Sequence, residues 1–293
     1  MEPWTIQKLL GWVTEYFTGK GIDAPRLSAE WLLCYVLGAK RIELYTQFNK
    51  AVGPEHLSQL HELVKRAAAH EPIAYITGKK EFYSIEFEIT KDCLIPRPET
   101  ELLVERAIEL LRTRTGEQFV CDLCTGSGCI AVAIARNFAG CRIVATDISD
   151  AALAIAEKNV AKHGLTNRIK LLQGDLFAPV IAGLGPAQFD LIVSNPPYVS
   201  EPEYEKLAPN VKDFEPKSAL TAGKDGLDII KKIIAETGQH LKPAGTLMFE
   251  IGNEQGNAVR NLLETAGYFS DVKIEKDYSN LDRLAIAVTK PAK

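Results

Sequence analysis

Residues 119–131 read Phe-Val-Cys-Asp-Leu-Cys-Thr-Gly-Ser-Gly-Cys-Ile-Ala, and this stretch decides the fold of the chain. An apolar, strand-like run at 119–123 is followed by a loop containing Gly126 and Gly128, and then by an apolar helical segment. The two glycines let the backbone pass close to a ligand, and the N-terminus of the next helix offers free N–H groups to an anion. A strand, glycine loop and helix in this order are typical of nucleoside-binding α/β sheets.

The alternation of strand and helix continues from about residue 96 to the end of the chain. The predicted strands lie at residues 119–123, 141–146, 169–172, 189–193 and 246–251. Helical segments at 130–136, 151–163 and 227–240 lie between most of them. This order predicts a parallel sheet with helices on both faces. Residues 268–274 and 284–288 resemble two more strands without a clear helix between them, so we expect the sheet to finish with an antiparallel pair.

The first part of the chain has a different, helical pattern. One apolar helix face is predicted from residues at spacings of three and four, namely Ile6, Leu9, Leu10, Val13 and Phe17. The period changes between residues 75 and 95, where apolar and polar residues alternate as in a β-hairpin. We therefore expect a helical domain at 1–74, a hairpin linker at 75–95 and a sheet domain at 96–293.

Composition excludes several classes of protein. The 293 residues include 34 basic and 38 acidic side chains, so the formal charge of −4 argues against affinity based on nucleic-acid phosphates. No apolar run approaches the ~18 residues of a membrane span, and the first residues lack the pattern of a signal peptide, so we expect a cytoplasmic protein. The six cysteines are expected to be reduced, and the five histidines show no metal-binding spacing, so no metal site is predicted.

An acidic residue follows the second strand of the predicted sheet. Asp147 lies 21 residues beyond Gly126, where a carboxylate can accept hydrogen bonds from ribose hydroxyls. However, Gly126, Gly128 and Ala131 also satisfy the dinucleotide fingerprint G-x-G-x-x-G/A. The loop and the acid therefore predict a nucleoside ligand, and they fit NAD as well as S-adenosylmethionine.

A second motif, Ser194-Asn195-Pro196-Pro197-Tyr198, follows the strand at 189–193. It lies at the carboxyl edge of the sheet, where ligands of parallel sheets bind. Asn195 and Pro196 each precede a proline, which favours extended backbone and makes the segment stiff. We expect the Asn195 side-chain oxygen and the Pro196 carbonyl to form two fixed acceptors beside the Tyr198 ring. Two such acceptors would bind both hydrogens of an –NH₂ group.

Those two acceptors indicate a particular chemistry. An amide or exocyclic amine is a poor nucleophile because its lone pair is delocalised. Holding its two hydrogens can direct the nitrogen lone pair toward a sulfonium methyl and stabilise the positive charge that develops. No strong base is needed before transfer, because the proton becomes acidic only after the nitrogen is alkylated. A nicotinamide enzyme would leave residues 195–198 without a role.

The glycine loop followed by Asn-Pro-Pro-Tyr resembles the class I methyltransferases that modify planar nitrogens. Further segments resemble one branch, the peptide chain release factor N5-glutamine methyltransferases (HemK/PrmC family). They lie at residues 71–78, 81–83, 95–101, 214–216, 223–227 and 250–256. The resemblance implies a Rossmann-like S-adenosylmethionine-dependent methyltransferase sheet with a small N-terminal helical domain. It also implies methyl transfer from S-adenosyl-L-methionine to N5 of the glutamine in the Gly-Gly-Gln motif of class 1 release factors. The charge of −4 leads us to expect no direct nucleic-acid binding.

Site residues follow from the resemblance by position. It places Cys124, Thr125, Gly126, Ser127 and Gly128 at the methionine end of the donor, Asp147 at the ribose, and Asp175 and Leu176 beside the adenine. It places Asn195 against both donor and glutamine, with Pro196, Pro197 and Tyr198 framing the glutamine and Asn195, Pro196 and Tyr198 taking the catalytic roles. One departure is Cys124, where the family usually has glycine. We expect an ordinary negative φ at Cys124, because Gly126 and Gly128 provide the closest approach.

Three other interpretations stay open at this point. An adenine N6-type methyltransferase would use the same acceptor pair on a flipped base, although the mild acidity disfavours it. An NAD-dependent oxidoreductase would use the glycine loop and Asp147 alone. A non-catalytic module would bind a partner through its N-terminal helices. Arg97 and Glu101 lie one helical turn apart, and they either belong to the donor site or form an exposed i,i+4 ion pair.

Overall fold

A computed structural model of the protein describes residues 3–185 and 188–292. The chain divides into two compact units, one formed by Met1–Lys79 with Ala208–Phe214, the other by Lys80–Leu207 with Glu215–Lys293. The predicted domain ranges also include residues 1, 2, 186, 187 and 293, which lie outside the described residues. Within the described part of the chain, no helix is both long and apolar enough to cross a bilayer.

The first unit is helical, as its apolar spacing predicts. Its helices are α1 (Ile6–Gly19), α2 (Pro25–Leu37), α3 (Arg41–Thr46), α4 (Pro54–Ala68), α5 (Ile73–Thr77) and a short helix at Pro209–Lys212. The predicted apolar face of α1 is buried along its whole length. Thr5 caps this helix by accepting a hydrogen bond from the Lys8 N–H. The α1 face packs with the apolar residues of α2 and α4 in one core.

A buried acid ties α2 to α3 inside the helical unit. The Glu30 carboxylate accepts hydrogen bonds from Arg26 Nε at 2.9 Å, from Arg41 Nε at 2.7 Å and from the Tyr45 hydroxyl. Burial by itself would raise the pKa of Glu30, but the bonds from Tyr45, Arg26 and Arg41 outweigh burial and lower it. The charge on Glu30 therefore stabilises this unit.

A hairpin forms between β1 (Lys79–Phe82) and β2 (Ile85–Glu88), inside the predicted range of 75–95, whereas residues 75–77 of that range belong to helix α5. Tyr83 and Ser84 connect the strands with φ values of 51° and 57°. Positive φ at both central residues is typical of the two-residue turns that match the twist of a hairpin. The buried residues Phe82, Ile85 and Phe87 are among those that produced the alternating sequence pattern.

The second unit contains a seven-stranded sheet. Its strands are β3 (Gln118–Leu123), β4 (Cys141–Asp147), β5 (Ile169–Gln173), β6 (Phe189–Ser194), β7 (Leu241–Glu250), β8 (Phe269–Lys276) and β9 (Asp282–Thr289). They lie in the order β5-β4-β3-β6-β7-β9-β8. The first five strands pair in parallel, whereas β9 is antiparallel to both β7 and β8. The predicted α/β class and the antiparallel finish are both confirmed.

Helices cover this sheet. The helices of this unit are, in chain order, α6 (Glu101–Arg112), α7 (Cys129–Asn137), α8 (Asp150–Lys162), α9 (Ala178–Leu184), α10 (Glu201–Tyr204), α12 (Asp228–Thr237) and α13 (Gly256–Thr265), while the label α11 belongs to Pro209–Lys212 of the first unit. Helix α13 was not predicted from the sequence. Strand β7 begins five residues earlier than predicted, because its first residues include Pro243 and Gly245, which are typical of loops. The extra residues of β7 are accommodated by an irregular register against β6.

One buried amide connects β2 to the glycine loop. Asn159 of α8 accepts a hydrogen bond from the Glu88 N–H at 2.7 Å and donates to the Glu88 carbonyl at 3.0 Å. The same Nδ2 group donates to the Ser127 carbonyl at 2.9 Å. The backbone N–H and carbonyl of Glu88 are therefore both bonded to the Asn159 side chain. The same side chain also bonds to the loop that follows β3.

The strand order reverses direction between β3 and β6. From β3 the sheet extends through β4 and β5 on one side, and the chain then returns to add β6 on the other side. Residues Val120–Leu123 pair directly with Leu191–Ser194, so the two strands end together. Ligands of open α/β sheets bind beyond the carboxyl ends of strands at such a reversal. The glycine loop and the Asn-Pro-Pro-Tyr segment begin at this point.

Candidate active site

A cavity of about 520 Å³ opens beyond the carboxyl ends of β3, β4, β5 and β6. This volume lies within the ~300–1,000 Å³ that is usual for small-molecule sites. The sequence-predicted residues on its wall are Cys124, Gly126, Asp147, Asp175, Leu176, Asn195 and Pro197. Wall residues that the sequence analysis did not single out include Cys93, Leu94, Ile148, Thr221 and Ile229. Ile148, which directly follows the end of β4, is 64% exposed and gives the wall an apolar surface.

The two glycines of the loop both have left-handed backbone. Gly126 has a φ of 56° and Gly128 a φ of 80°. A Cβ atom at Gly126 would meet nothing within 4 Å, whereas one at Gly128 would lie 3.2 Å from the Ala156 Cβ of α8. Gly126 therefore keeps the backbone open at the cavity, and Gly128 lets α8 pack closely against the loop.

Cys124 also has left-handed backbone, with a φ of 57°, so the expectation of a negative φ is wrong. The chain must turn sharply out of β3 here, since the next amide, Thr125 N–H, donates to the Thr146 carbonyl of β4 at 3.0 Å. Burial, followed by the nearby Asp147 charge, raises the pKa of the Cys124 thiol, which stays protonated. Leu176 is a second wall residue with positive φ, at 46°. Strained backbone of this kind concentrates at ligand sites.

Asp147 holds the glycine loop against the end of β4. Its Oδ2 accepts a hydrogen bond from the Gly126 N–H at 2.8 Å, and its Oδ1 accepts one from the Ser149 N–H at 2.9 Å. Burial raises its pKa against the effect of these bonds. Each carboxylate oxygen has a further lone pair, so Asp147 can still accept bonds from the hydroxyls of a ligand.

A second acid, Asp122, lies beneath the loop and was not singled out by the sequence analysis. Its Oδ2 accepts hydrogen bonds from Thr125 Oγ1 at 2.6 Å and from the Ala131 N–H at 3.2 Å. Its Oδ1 is buried and has no partner among the described residues. Burial raises the pKa of Asp122 to about 7. Thr125 and Ser127, which were predicted to bind the methyl donor, are buried as well. Their side chains therefore support the loop from the protein interior and do not line the cavity.

Asn195 follows β6 and lies on the cavity wall. Its Nδ2 group donates to Thr100 Oγ1 at 3.0 Å, and Thr100 in turn donates to Glu250 Oε2 at 2.6 Å. The Tyr198 hydroxyl donates to the other oxygen of Glu250 at 2.8 Å. Pro197 lines the cavity, whereas Pro196 is buried. Thr100 and Glu250 belong to the segments at 95–101 and 250–256, but no role beside Asn195 was predicted for either residue.

Gln255, of the segment at 250–256, and Gly226, of the segment at 223–227, both contact the Tyr198 backbone. Gln255 Nε2 donates to the Tyr198 carbonyl at 2.9 Å and to the Gly226 carbonyl at 3.3 Å. Gly226 has a φ of 72°, and a Cβ atom there would lie 2.2 Å from the Tyr198 carbonyl oxygen. Glycine is therefore required at 226 both by backbone conformation and by the close approach of the Asn-Pro-Pro-Tyr segment.

Arg97 and Glu101 do not form the ion pair that was one of their two interpretations. Arg97 Nη2 lies 2.5 Å from Glu215 Oε1, and Glu215 Oε2 accepts a bond from the Ile95 N–H at 3.2 Å. Glu101 instead accepts a bond from the Tyr83 N–H at 2.8 Å. The Glu215 side chain is 1% exposed, so Arg97 neutralises a buried charge. Together these bonds fix the backbone that leads to Thr100.

Comparisons with known proteins agree with this geometry. Residues 8–78 match the family model "PrmC N-terminal domain", and residues 99–210 match "Methyltransferase small domain". A release factor glutamine methyltransferase of Rhodopirellula baltica is 42% identical over 96% of this chain and 95% of its own length. One of Geobacter sulfurreducens is 41% identical over 97% of this chain and 96% of its own length. These matches support methyl transfer over nicotinamide chemistry.

A solved structure is similar to the fold. A methyltransferase from Pyrococcus furiosus superimposes with a TM-score of 0.52 at 20% identity, covering 80% of this chain and 99% of that one. At this identity the likeness concerns the fold alone.

Proposed function

The chain belongs to the family of release factor glutamine methyltransferases, and from that premise we propose that it methylates a glutamine side chain at N5. The donor is S-adenosyl-L-methionine, and the acceptor is the glutamine of the Gly-Gly-Gln motif in class 1 release factors. The observation that carries the proposal is the position of Asn195. It lies on the wall of the same cavity as Cys124, Gly126 and Asp147.

The residues on the cavity wall fit the proposed donor. Gly126 leaves open space where a side chain would be, and Asp147 has lone pairs free for ribose hydroxyls. Ile148 and Leu176 offer apolar surface to a flat base, with Asp175 at the same edge. S-adenosylmethionine supplies an electrophilic methyl group on its sulfonium sulfur when bound. We assign Cys124, Thr125, Ser127 and Gly128 to the methionine end, Thr125 and Ser127 acting through the shape of the loop.

The acceptor amide is bound by two oxygens in this proposal. Asn195 Oδ1 accepts one hydrogen of the glutamine –NH₂ group, and the Pro196 carbonyl accepts the other. Because Pro196 and Pro197 have no N–H groups and restrict the backbone, the two oxygens keep a fixed spacing. They stabilise the positive charge that grows on nitrogen as the methyl group is transferred. Pro197 and the ring of Tyr198 frame the side chain of the glutamine.

Tyr198 acts as a fixed neutral group and not as a base. Burial, followed by the neighbouring Glu250 charge and the hydrogen bond to it, raises the pKa of the Tyr198 phenol well above its usual range. The phenol therefore keeps its proton, which it donates to Glu250. The glutamine nitrogen loses its proton only after methylation has made it acidic, so transfer requires no strong base beforehand.

The helical unit is assigned to docking of the protein substrate. Its match to the PrmC N-terminal domain over residues 8–78 supports this role. We retain the division into a helical domain at 1–74, a hairpin linker at 75–95 and a methyltransferase domain at 96–293. The formal charge of −4 and the protein substrate together favour recognition of a protein surface without direct nucleic-acid contact.

The proposal is tested by supplying methyl-labelled S-adenosylmethionine with three acceptors. These are a class 1 release factor, the same factor with Gln→Ala in its Gly-Gly-Gln motif, and duplex DNA. Label is expected on the intact release factor alone. Labelled DNA, or equal label on the Gln→Ala factor, would show that the proposed acceptor is wrong.

A variant of the chain tests the role of Asn195. Asn195→Ala is expected to lower turnover by ~10²–10³, the effect of losing one preorganised polar contact to the transition state. Donor affinity measured by calorimetry should change much less, because the loop and Asp147 are intact. Normal turnover in Asn195→Ala would rule out the two-acceptor mechanism.

A further inference from the structure

Four side chains form a continuous hydrogen-bonded cluster behind the cavity wall. Asn195 bonds to Thr100, and both Thr100 and Tyr198 bond to Glu250. Thr100 and Glu250 are each 2% exposed, so water does not compete for these bonds. Glu250 ends β7 and is the next residue after Phe249, which pairs with Ser194 of β6. The cluster is therefore held by the end of the sheet itself.

The charge on Glu250 sets the direction of every bond in the cluster. Burial raises the pKa of Glu250, and the hydrogen bonds from Thr100 and Tyr198 act against that rise by favouring the carboxylate. As a carboxylate, Glu250 only accepts hydrogen bonds, so Thr100 and Tyr198 both donate to it. Thr100 has a single hydroxyl proton, and that proton is used in the bond to Glu250 Oε2. Its oxygen can then only accept from Asn195. The amide nitrogen of Asn195 must face Thr100, which leaves Oδ1 on the opposite side of the amide.

The reversed amide would be unfavourable. A half-turn of the Asn195 amide would bring Oδ1 against the Thr100 oxygen, and two acceptors would then meet without a proton between them. It would also turn two N–H donors toward the position proposed for the glutamine –NH₂ group, which is itself a donor. We propose that Thr100 and Glu250 are positioning residues that fix the amide of Asn195 with its oxygen available to the substrate. This inference rests on the proposed function of Asn195.

Thr100→Val tests the inference with almost no change in side-chain shape. Without the hydroxyl, the Asn195 amide nitrogen would face a methyl group, so the reversed amide becomes favoured and the competent orientation becomes the minor one. We expect kcat for the release factor to fall about tenfold or more, as it does when the competent state is reduced to a tenth of the population. The KM for the release factor and the donor affinity should change less than about threefold, because docking and the glycine loop are intact.

Thr100→Ser is the matched control, because serine restores the hydroxyl without the methyl group. Its kcat should return to within about threefold of the unchanged protein. Equal loss of kcat in Thr100→Val and Thr100→Ser would overturn the inference, since the side chain would then matter only for packing. Unchanged kcat in Thr100→Val would overturn it too.

A spectroscopic readout separates this inference from the proposed function. The side-chain amide of Asn195 can be followed by nuclear magnetic resonance in protein made with isotope-labelled asparagine, without any acceptor. Its resonances should shift in Thr100→Val and return toward their original positions in Thr100→Ser. Asn195 resonances that are insensitive to Thr100→Val would contradict the cluster. Shifted resonances in an enzyme that leaves the glutamine unmethylated would support the cluster and reject the proposed acceptor.

Discussion

The left-handed conformation of Cys124 predicts which of two variants at this position is the more stable, and by how much. Two variants are compared, Cys124→Ala and Cys124→Gly. Both remove the thiol from its site against the sheet core, so the loss of sulfur packing is shared between them. The remaining difference between the variants is one Cβ atom on a residue with a φ of 57°.

The expected difference follows from two opposing effects. A Cβ atom in left-handed backbone costs ~1–2 kcal/mol, which glycine does not pay. Glycine is more flexible in the unfolded chain, and this lowers the stability of the folded state by ~0.4–1 kcal/mol. Cys124→Gly should therefore be more stable than Cys124→Ala by roughly 0.5–1 kcal/mol. With an ordinary negative φ only the second effect would act, and Cys124→Ala would be the more stable variant by ~0.4–1 kcal/mol.

The assay must report on the unit that contains Cys124. All three tryptophans, Trp4, Trp12 and Trp31, lie in the helical unit, so tryptophan fluorescence would follow the wrong part of the protein. A urea titration read by hydrogen–deuterium exchange of peptides covering β3 measures the sheet unit directly. A more stable Cys124→Ala variant would refute the left-handed assignment at Cys124.

Three further predictions concern buried charges. Folding raises the pKa of the Asp122 carboxyl from its ordinary value of 3.8 to about 7. Between these two pH values the folded sheet unit therefore keeps a proton on Asp122 that the unfolded chain has lost. The free energy of unfolding therefore falls as pH rises through that window, and relative to Asp122→Asn it should drop by ~3 kcal/mol between pH 5 and pH 8, read by the same exchange assay. Arg97→Met leaves the Glu215 carboxylate buried without its cation and should destabilise the sheet unit by ~2–3 kcal/mol, less than for a fully buried pair because the Arg97 side chain is 29% exposed. The double variant Arg97→Met/Glu215→Gln should recover most of that loss, and a double variant as unstable as the single one would contradict this account. Glu30→Gln weakens three hydrogen bonds to a buried charge and should cost the helical unit ~1–3 kcal/mol in urea titrations followed by tryptophan fluorescence, while donor affinity stays unchanged.

The features predicted correctly from the sequence are those that depend on local patterns. The apolar runs and the spacing of Gly126 and Gly128 were sufficient for β3, the loop and the start of α7, and the position of Asn195 after a strand placed it at the carboxyl edge. These features need only periodicity and the rule that parallel strands end together. The same local reasoning failed for β7, whose first half contains Pro243 and Gly245.

Other features depend on contacts between distant parts of the chain. Thr100 and Glu250 are separated by 150 positions, and only the folded sheet brings Glu250 next to Asn195. The left-handed backbone at Cys124 is imposed by the bond of the following amide to the neighbouring strand, whereas local preference favours negative φ for cysteine. Arg97 likewise looked like half of a local ion pair, but its partner Glu215 is 118 positions away.

The buried amide of Asn159 restricts how this protein can change during evolution. It uses one acceptor and two donors in bonds to Glu88 and Ser127. Aspartate has no donor, and glutamine is longer by a methylene group, so neither of the nearest replacements reproduces all three bonds. Asparagine at position 159 is therefore needed to keep all three bonds. The shape of the glycine loop in descendants of this chain therefore depends on a helix residue that does not line the cavity.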